Sequence, residues 1–191
     1  MSVPNDARAD APAPYLFYRR SVADADRYVP EQIAGGRIAF WRPSWRRVPP
    51  PPIRSRVNWV WWLLHNLHVF RSRGFCVILV SRGERLVHRS SVFPPYFRFP
   101  FMRRDDVQIG DTWTDESERG RGIASAVIGV ALALPERRNV DAWYVVQESN
   151  AASIRAVEKA GFKLIGRGNR LPRLGLRALG YYAITESCIP S

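Results

Sequence analysis

The sequence predicts an α+β fold in which a central mixed, mostly antiparallel sheet is flanked by helices. Two observations carry this prediction. Short apolar segments between residues 74 and 114 are typical of a strand hairpin followed by a third strand. Helical and strand patterns then alternate through residue 187, which gives the order β-β-β-α-β-α-β-β and indicates helices that cover the sheet.

The region before residue 74 is predicted to be less regular. Residues 1–13 are rich in Ala, Pro and Asp, which is typical of a disordered tail. Segment 14–20 is apolar enough to be a first strand. The four prolines at 49–52 are predicted to be extended and not helical. For 21–56 as a whole we expect irregular structure with short helical pieces.

Segment 58–70 is bulky and apolar and is predicted to be a helix. Trp61 and Leu64 lie on one helical stripe, but Trp62 and Leu67 make other faces apolar too. We therefore favour a buried helix or a homodimer contact. The flanking arginines leave an interfacial membrane helix as the alternative.

The elements after residue 74 follow from periodicity. A stripe that begins at Ile123 predicts a helix that ends before Pro135, and a second helix is predicted from an Asn150 cap to Gly161. In the third core strand, Asp111 is predicted to face the same way as Ile109. Residues 169–177 are expected to be a basic loop. The predicted core strands are 75–81, 85–93, 106–114, 140–147, 162–168 and 178–187.

Length and composition limit the remaining choices. A chain of 191 residues suits one domain, so we expect a single domain over 14–191, with a variable part at 14–73 and a core at 74–187. No apolar run of eighteen residues and no secretory signal is present, so we expect a cytoplasmic protein without a transmembrane segment. Cys76 and Cys188 could form one disulfide, but we expect free thiols and no metal site.

The charge balance is strongly basic. There are 29 Lys and Arg against 17 Asp and Glu, a net charge of +12, which attracts anions of any kind. The arginines are spread through the chain, so a genome that favours arginine codons accounts for them equally well. Interleaved aromatics leave an arginine-rich nucleic-acid-binding protein as an alternative. No recognised binding motif is present, so we expect no stable nucleic-acid partner.

Segment 119–124, R-G-R-G-I-A, carries the chemistry. It follows a strand and opens a helix, and its two glycines permit backbone angles that other residues resist. The first turn of a helix presents unpaired N–H groups and the positive end of the dipole. Together these features predict a cradle for a pyrophosphate. The alternative is an ordinary glycine-containing turn.

This segment resembles motif A of the GNAT superfamily of acyl-CoA-dependent N-acyltransferases, [R/Q]-x-x-G-x-[G/A], at Arg119, Gly122 and Ala124. Downstream, 150–162 resembles motif B of the same family, an Asn-initiated helix that ends in Gly-Phe. The resemblance covers about 74–187. The helix N-A-A-S-I-R and the strand V-H-R-S further look like bacterial acetyltransferases of the polysaccharide-biosynthesis kind.

The resemblance implies that acetyl-CoA, or another acyl-CoA, binds in a gap between strands 106–114 and 140–147. Backbone groups at Trp113 and Thr114 would hold the pantetheine, with Asn150 and Ser153 beside its arm. The pyrophosphate would lie on Arg119, Gly120, Arg121, Gly122, Ile123 and Ala124. The implied function is acetyl transfer to a primary amine of a small molecule, such as an amino sugar or nucleotide sugar, with a non-catalytic acyl-CoA-binding module as the alternative.

The chemistry requires a base, because a protonated amine does not attack a thioester. The candidate bases are Asp111 and His88 in neighbouring strands and Glu148 at the end of a strand.

A donor should also protonate the leaving thiolate. In many members of the family this donor is a Tyr seven positions after the motif B Asn, where this chain has Val157. Either the thiolate leaves unassisted, or one of Tyr144, Tyr181 and Tyr182 takes the place of that donor.

Overall fold

A computed structural model of the chain describes residues 14–70, 74–136 and 139–188. The predicted tail at 1–13 lies outside these ranges. The described residues form one sheet of nine strands and three α-helices. In chain order the elements are β1 (Tyr15–Ser21), β2 (Gln32–Ile33), β3 (Gly36–Trp41), α1 (Arg56–Asn66), β4 (Cys76–Arg82), β5 (Arg85–Phe93), β6 (Val107–Thr114), α2 (Ile123–Ala133), β7 (Asp141–Gln147), α3 (Ala151–Lys159), β8 (Lys163–Arg173) and β9 (Leu176–Ser187).

The strands lie in the order β2-β3-β4-β5-β6-β7-β1-β8-β9. All neighbouring pairs are antiparallel except β6 and β7, which are parallel. The predicted fold class is therefore confirmed, and the order of elements from β4 to β9 agrees with the pattern in the sequence.

Both faces of the sheet are covered, as the alternation along β4 shows. Ile78 and Val80 pack in a core with residues of α2 and α3. Val77 and Leu79, which point the other way, pack in a second core with Trp61 of α1. We call the second the aromatic core, because rings dominate it: Trp41, Trp61, Phe70, Phe75, Phe93, Tyr96, Phe99 and Trp143.

The region before α1 is more regular than the sequence predicts. Residues 32–41 form the hairpin of β2 and β3 around a turn in which Ala34 and Gly35 both have positive φ, 49° and 76°. β3 then pairs along β4, from Arg37↔Ser81 to Trp41↔Val77. The expectation of irregular structure is wrong over this stretch, because β4 offers β3 a complete ladder that local propensity does not reveal. A short helical piece is present farther on, as a 3-10 turn at Pro51–Ile53, so the prediction that the proline run cannot be helical is wrong at its end. Proline is tolerated in the first turn of a helix, where its missing N–H has no partner.

Helix α1 is present where a helix is predicted, but it is not a buried helix. It begins after Ser55, whose hydroxyl accepts a hydrogen bond from the Asn58 N–H. Trp61 is buried, whereas Val57, Val60 and Leu67 are 57%, 53% and 56% exposed. The prediction of a helix buried all round is therefore wrong, and a homodimer or membrane contact through the exposed face stays a prediction.

The predicted basic loop at 169–177 is also wrong, because β8 continues to Arg173 and β9 begins at Leu176. The turn between them places Leu174 and Gly175 at φ 51° and 73°. Pro172 does not interrupt the hairpin, because it lies where the register shifts between Leu171 and Arg173.

Three further observations concern membrane-spanning helices, cysteines and metal ligands. None of the helices described is long and apolar enough to cross a bilayer. Cys76 is buried and Cys188 is exposed, and both are free thiols, as expected. Within ranges 14–70, 74–136 and 139–188, no three His, Cys, Asp or Glu side chains come together in a way that could hold a metal ion.

Candidate active site

The parallel strands β6 and β7 pair over only three steps, from Val107↔Ala142 to Ile109↔Tyr144. Beyond this point β6 continues to Thr114 and β7 to Gln147 without a ladder between them. The facing edges of the two strands therefore leave backbone N–H and C=O groups without ladder partners, at a gap in the middle of the sheet.

Asp106 holds the other end of this strand pair together. Its buried carboxylate accepts hydrogen bonds from the Arg103 N–H at 2.9 Å, the Asp141 N–H at 3.0 Å and the Trp143 Nε1–H at 3.0 Å. Because Asp106 precedes β6 while two of its donors lie in β7, the strands are fixed at their starts and are free to separate at their ends.

A β-bulge in β6 changes which side chains face each side of the gap. Gly110 pairs with Ser91 and Trp113 with Arg89, so three steps along β6 oppose two along β5. Asp111 lies within the bulge at φ 47°. The extra residue brings Asp111 to the side of the sheet opposite Ile109, so the prediction that these two face the same way is wrong.

A cavity of about 620 Å³ opens between the gap, α2 and α3. We call it the helix-side cavity. Its walls come from β6, from the loop before α2, from Tyr144 of β7 and from one face of α3. The lining residues are Thr112, Trp113, Thr114, Glu118, Arg119, Gly120, Gly122, Ile123, Ala124, Ser125, Tyr144, Asn150, Ala152, Ser153, Arg155, Ala156 and Lys159.

The loop before α2 has the predicted geometry of a glycine cradle. Gly120 and Gly122 have φ of 79° and 74°, and Gly122 is the residue immediately before the helix. A Cβ at Gly122 would meet no atom closer than the Ser125 Oγ at 4.0 Å, so the glycine is required by the backbone angle rather than by space. The N–H groups of the first turn of α2 have no partner within the helix and open toward the cavity.

Ion pairs hold the approach to this loop in place. Arg85 lies 2.7 Å from the Asp115 carboxylate, and its hydrogen bond lowers the pKa of Asp115 to about 2. The buried Glu118 carboxylate lies 3.3 Å from Arg82 and 3.1 Å from Arg121. Arg121 is thus turned toward Glu118 and does not line the helix-side cavity.

Arg119 does line the helix-side cavity. Its Nη1 lies 3.4 Å from the exposed Glu116 carboxylate, and its Nε donates to the Thr114 carbonyl at 3.4 Å. Of the two loop arginines singled out from the sequence, Arg119 alone therefore brings positive charge to the cavity wall.

Helix α3 forms the opposite wall. Asn150 is its cap, and the Asn150 Oδ1 accepts a hydrogen bond from the Ser153 N–H at 3.1 Å. Val157 is fully buried in the core and does not line the cavity.

Four lining residues of α3 were not singled out from the sequence: Ala152, Arg155, Ala156 and Lys159. Their spacing of i, i+3, i+4 and i+7 is the signal that could have identified them, because it puts them on one helical face.

A second, smaller cavity of about 250 Å³ lies on the opposite side of the gap, against the aromatic core. We call it the aromatic cavity. The sequence did not predict this cavity, although it named two of its lining residues, Asp111 as a candidate base and Tyr182 as a candidate proton donor. Its lining residues are Val57, Trp61, Phe93, Tyr96, Arg98, Phe99, Gln108, Gly110, Asp111, Val145 and Tyr182.

The three candidate bases have different surroundings. Asp111 lines the aromatic cavity; burial raises its pKa, and the Arg89 guanidinium at 3.4 Å opposes that rise. His88 is fully buried, and burial lowers its pKa to about 4, so its imidazole is neutral near pH 7. Glu148 lines neither cavity and forms an ion pair with Arg167.

His88, in β5, links β5 to the end of β6. Its Nδ1 lies 2.8 Å from the Thr114 hydroxyl, and its Nε2 lies 3.1 Å from the Ser90 hydroxyl. Ser90 in turn lies 3.0 Å from the Thr112 hydroxyl. The chain of polar groups fixes the end of β6 where it borders the helix-side cavity.

The three candidate tyrosines are also separated. Tyr144 lines the helix-side cavity, Tyr182 lines the aromatic cavity, and Tyr181 lines neither.

Comparison with known proteins identifies the family of the chain and structures that share its fold. The model of the acetyltransferase (GNAT) family matches residues 38–162, well over half of the chain. No curated protein matches the sequence.

Two solved structures share the fold. One is a GNAT-family protein from Novosphingobium aromaticivorans, with 19% identity and a TM-score of 0.50 over 86% of this chain and 65% of that one. The other is a GCN5-related N-acetyltransferase from Sphaerobacter thermophilus, with 17% identity and a TM-score of 0.51 over 82% of this chain and 50% of that one. The chain thus spans less than two thirds of the length of either structure.

Proposed function

Since the chain belongs to the GNAT family of acetyltransferases, we propose that it transfers an acetyl group from acetyl-CoA to a primary amine of a small molecule. The observation that carries the proposal is the meeting of two cavities at the gap between β6 and β7. The helix-side cavity suits an elongated ligand with phosphates. The aromatic cavity is smaller and is lined by the Asp111 carboxylate.

The chemistry of the helix-side cavity suits acetyl-CoA, and its volume is that of an ordinary ligand site. The amides of 120–124, at the positive end of α2, and the Arg119 side chain would hold the pyrophosphate. Arg155 and Lys159 add positive charge on the facing wall. The volume of about 620 Å³ lies within the range of roughly 300–1,000 Å³ that is usual for ligand sites.

The pantetheine arm would lie along the open edge of β6 at Trp113 and Thr114, where backbone groups have no ladder partner in β7. Asn150 and Ser153 would flank it from α3. Bound acetyl-CoA would supply the acetyl group as a thioester at the gap. His88 acts as a positioning residue in this proposal, because it holds the Thr114 hydroxyl.

Asp111 is the base that the geometry supports best. It lines the aromatic cavity beside the gap, and partial burial of its side chain raises its pKa, which makes it a better proton acceptor. His88 is a poor base at neutral pH, because its pKa is lowered to about 4 and both ring nitrogens lie against hydroxyls. Glu148 faces Arg167, outside both cavities.

Tyr144 is the best candidate for protonating the leaving thiolate. It lies where the β6–β7 ladder stops and borders the helix-side cavity. Val157, at the position of the usual donor, is buried and has no proton to give.

A non-catalytic acyl-CoA-binding module is the second candidate, favoured by Val157 alone. Incubation with acetyl-CoA and a panel of primary amines, followed by measurement of released thiol, separates the two. Amine-dependent thiol release supports the transferase, whereas acetyl-CoA binding without release supports the binding module. The family match does not extend to the polysaccharide-biosynthesis type, and an amino-sugar acceptor stays a prediction.

A further inference from the structure

The aromatic cavity is built from parts of the chain that are distant in sequence. Trp61 comes from α1, Tyr96 and Phe99 from the segment after β5, and Tyr182 from β9. Trp61 and Tyr96 meet with ring centroids 5.4 Å apart, and Phe99 stacks on Tyr182 at 5.5 Å with an interplanar angle of 11°. The contacts among these rings give the cavity rigid walls.

The ring-lined walls define what kind of molecule the cavity accepts. Hydroxyl groups pressed against aromatic faces lose their hydrogen bonds to water, at a cost of about 1–3 kcal/mol for each group left without a partner. An apolar body loses nothing there and gains from leaving water. The walls therefore favour a ligand with a ring or a branched hydrocarbon over a ligand covered with hydroxyls.

Polar groups also line the cavity, from the side chains of Tyr96, Arg98, Gln108, Asp111 and Tyr182. Asp111 is the one carboxylate among the lining residues, and it lies where the cavity meets the gap. The Gln108 amide donates to the Ile109 carbonyl at 2.9 Å, and the Arg98 guanidinium lies 6.0 Å from the Phe97 ring centroid. Asp111 would attract an ammonium group, in competition with the Arg89 guanidinium 3.4 Å away.

Size supplies a second restriction. The cavity volume of about 250 Å³ is below the range of roughly 300–1,000 Å³ that is usual for drug-sized ligands. A nucleotide sugar, with a base, two sugars and two phosphates, would lie mostly outside this cavity, which is open to solvent.

We propose that the acceptor is a compact primary amine with an aromatic or similarly bulky apolar body, bound with its body among Trp61, Tyr96 and Tyr182 and its amine at Asp111. The inference rests on the proposed transferase function. It argues against the amino sugars and nucleotide sugars that the sequence suggested.

The test is direct binding of amines by titration calorimetry, which requires no turnover. Phenethylamine and cyclohexylamine are compared with glucosamine, a ring amine covered with hydroxyls. Binding of either apolar amine at least tenfold tighter than binding of glucosamine is expected. Glucosamine binding as tightly as both, or no binding of either apolar amine, overturns the inference.

A matched pair of variants locates the site. Val57 and Val60 are both exposed residues of α1, but Val57 lines the aromatic cavity and Val60 does not. Val57→Trp should weaken binding of the apolar amines at least tenfold, and Val60→Trp should leave it unchanged. Equal effects of the two substitutions contradict the location. If apolar amines bind but no amine of the panel releases thiol from acetyl-CoA, the transferase proposal fails, while the ligand preference of the cavity stands. If other amines release thiol but the apolar amines do not, the transferase proposal stands and the inference about the acceptor fails.

Discussion

Asp111 and Thr112 are consecutive residues of β6, yet Asp111 lines the aromatic cavity and Thr112 lines the helix-side cavity. Tyr144 and Val145 divide in the same way on β7. The backbones of β6 and β7 therefore border both cavities at the gap. Groups bound on the two sides could reach one another through the gap.

Replacement of Asp111 tests its role as the base. Asp111→Asn removes the proton acceptor with little change of volume, so we expect kcat to fall about 100-fold while acetyl-CoA affinity stays the same. Glu148→Gln is the control, because Glu148 lines neither cavity. Steady-state kinetics and acetyl-CoA titrations measure both. Equal losses in the two variants would rule out a special role for Asp111.

The pH dependence of the rate should depend on Arg89. Burial raises the pKa of Asp111 and Arg89 opposes that rise, so Arg89→Gln should raise the pKa of Asp111 further. Because Asp111 must be deprotonated to accept a proton, the acidic limb of kcat/KM should move to higher pH in this variant. A limb that stays in place, or moves to lower pH, contradicts the assignment.

His88 should make the fold sensitive to acid. Its pKa is lowered from 6.5 to about 4 by burial, so the unfolded chain binds a proton that the folded chain excludes. This contribution to stability is complete above pH 6.5 and is lost as the pH falls toward 4. It amounts to roughly 2 kcal/mol between pH 7 and pH 5, from 1.36 kcal/mol per pKa unit.

Denaturant unfolding of wild type and His88→Gln at pH 7 and pH 5 measures the contribution of His88 to the free energy of unfolding. The variant should lose less stability on acidification than the wild type does. His68→Asn, at an exposed histidine, should behave as the wild type. The same pH dependence in all three proteins would show that folding does not lower the pKa of His88.

Tyr144 should donate a proton to the leaving thiolate and should not contribute to acetyl-CoA affinity. Tyr144→Phe keeps the ring and removes the hydroxyl that borders the helix-side cavity, so we expect kcat to fall at least tenfold with unchanged acetyl-CoA binding. Tyr181→Phe, outside both cavities, should have no effect. An unaffected rate in Tyr144→Phe would mean that Tyr144 is not the donor, and that the thiolate leaves unassisted or takes its proton from another group, such as Tyr182.

The sequence predicted the fold class, the core elements and the loop before α2, because periodicity and glycine positions are local signals. It failed where a tertiary partner decides the structure. β3 forms because β4 accepts it, and the face of Asp111 depends on a bulge that is defined only by pairing with β5. The aromatic cavity joins α1 to β9, which no local pattern connects.

The most direct test of the account is thermal unfolding with and without acetyl-CoA, in wild type and Gly122→Asp. Gly175→Asp is the control, because Gly175 has a similar φ, 73° against 74°, in the turn between β8 and β9. Acetyl-CoA at 100 times its dissociation constant should stabilise wild type and Gly175→Asp by roughly 2.7 kcal/mol. Gly122→Asp, folded but with a carboxylate in the cradle, should show little or no stabilisation. Equal stabilisation of all three, or none in the wild type, would contradict acyl-CoA binding at this loop.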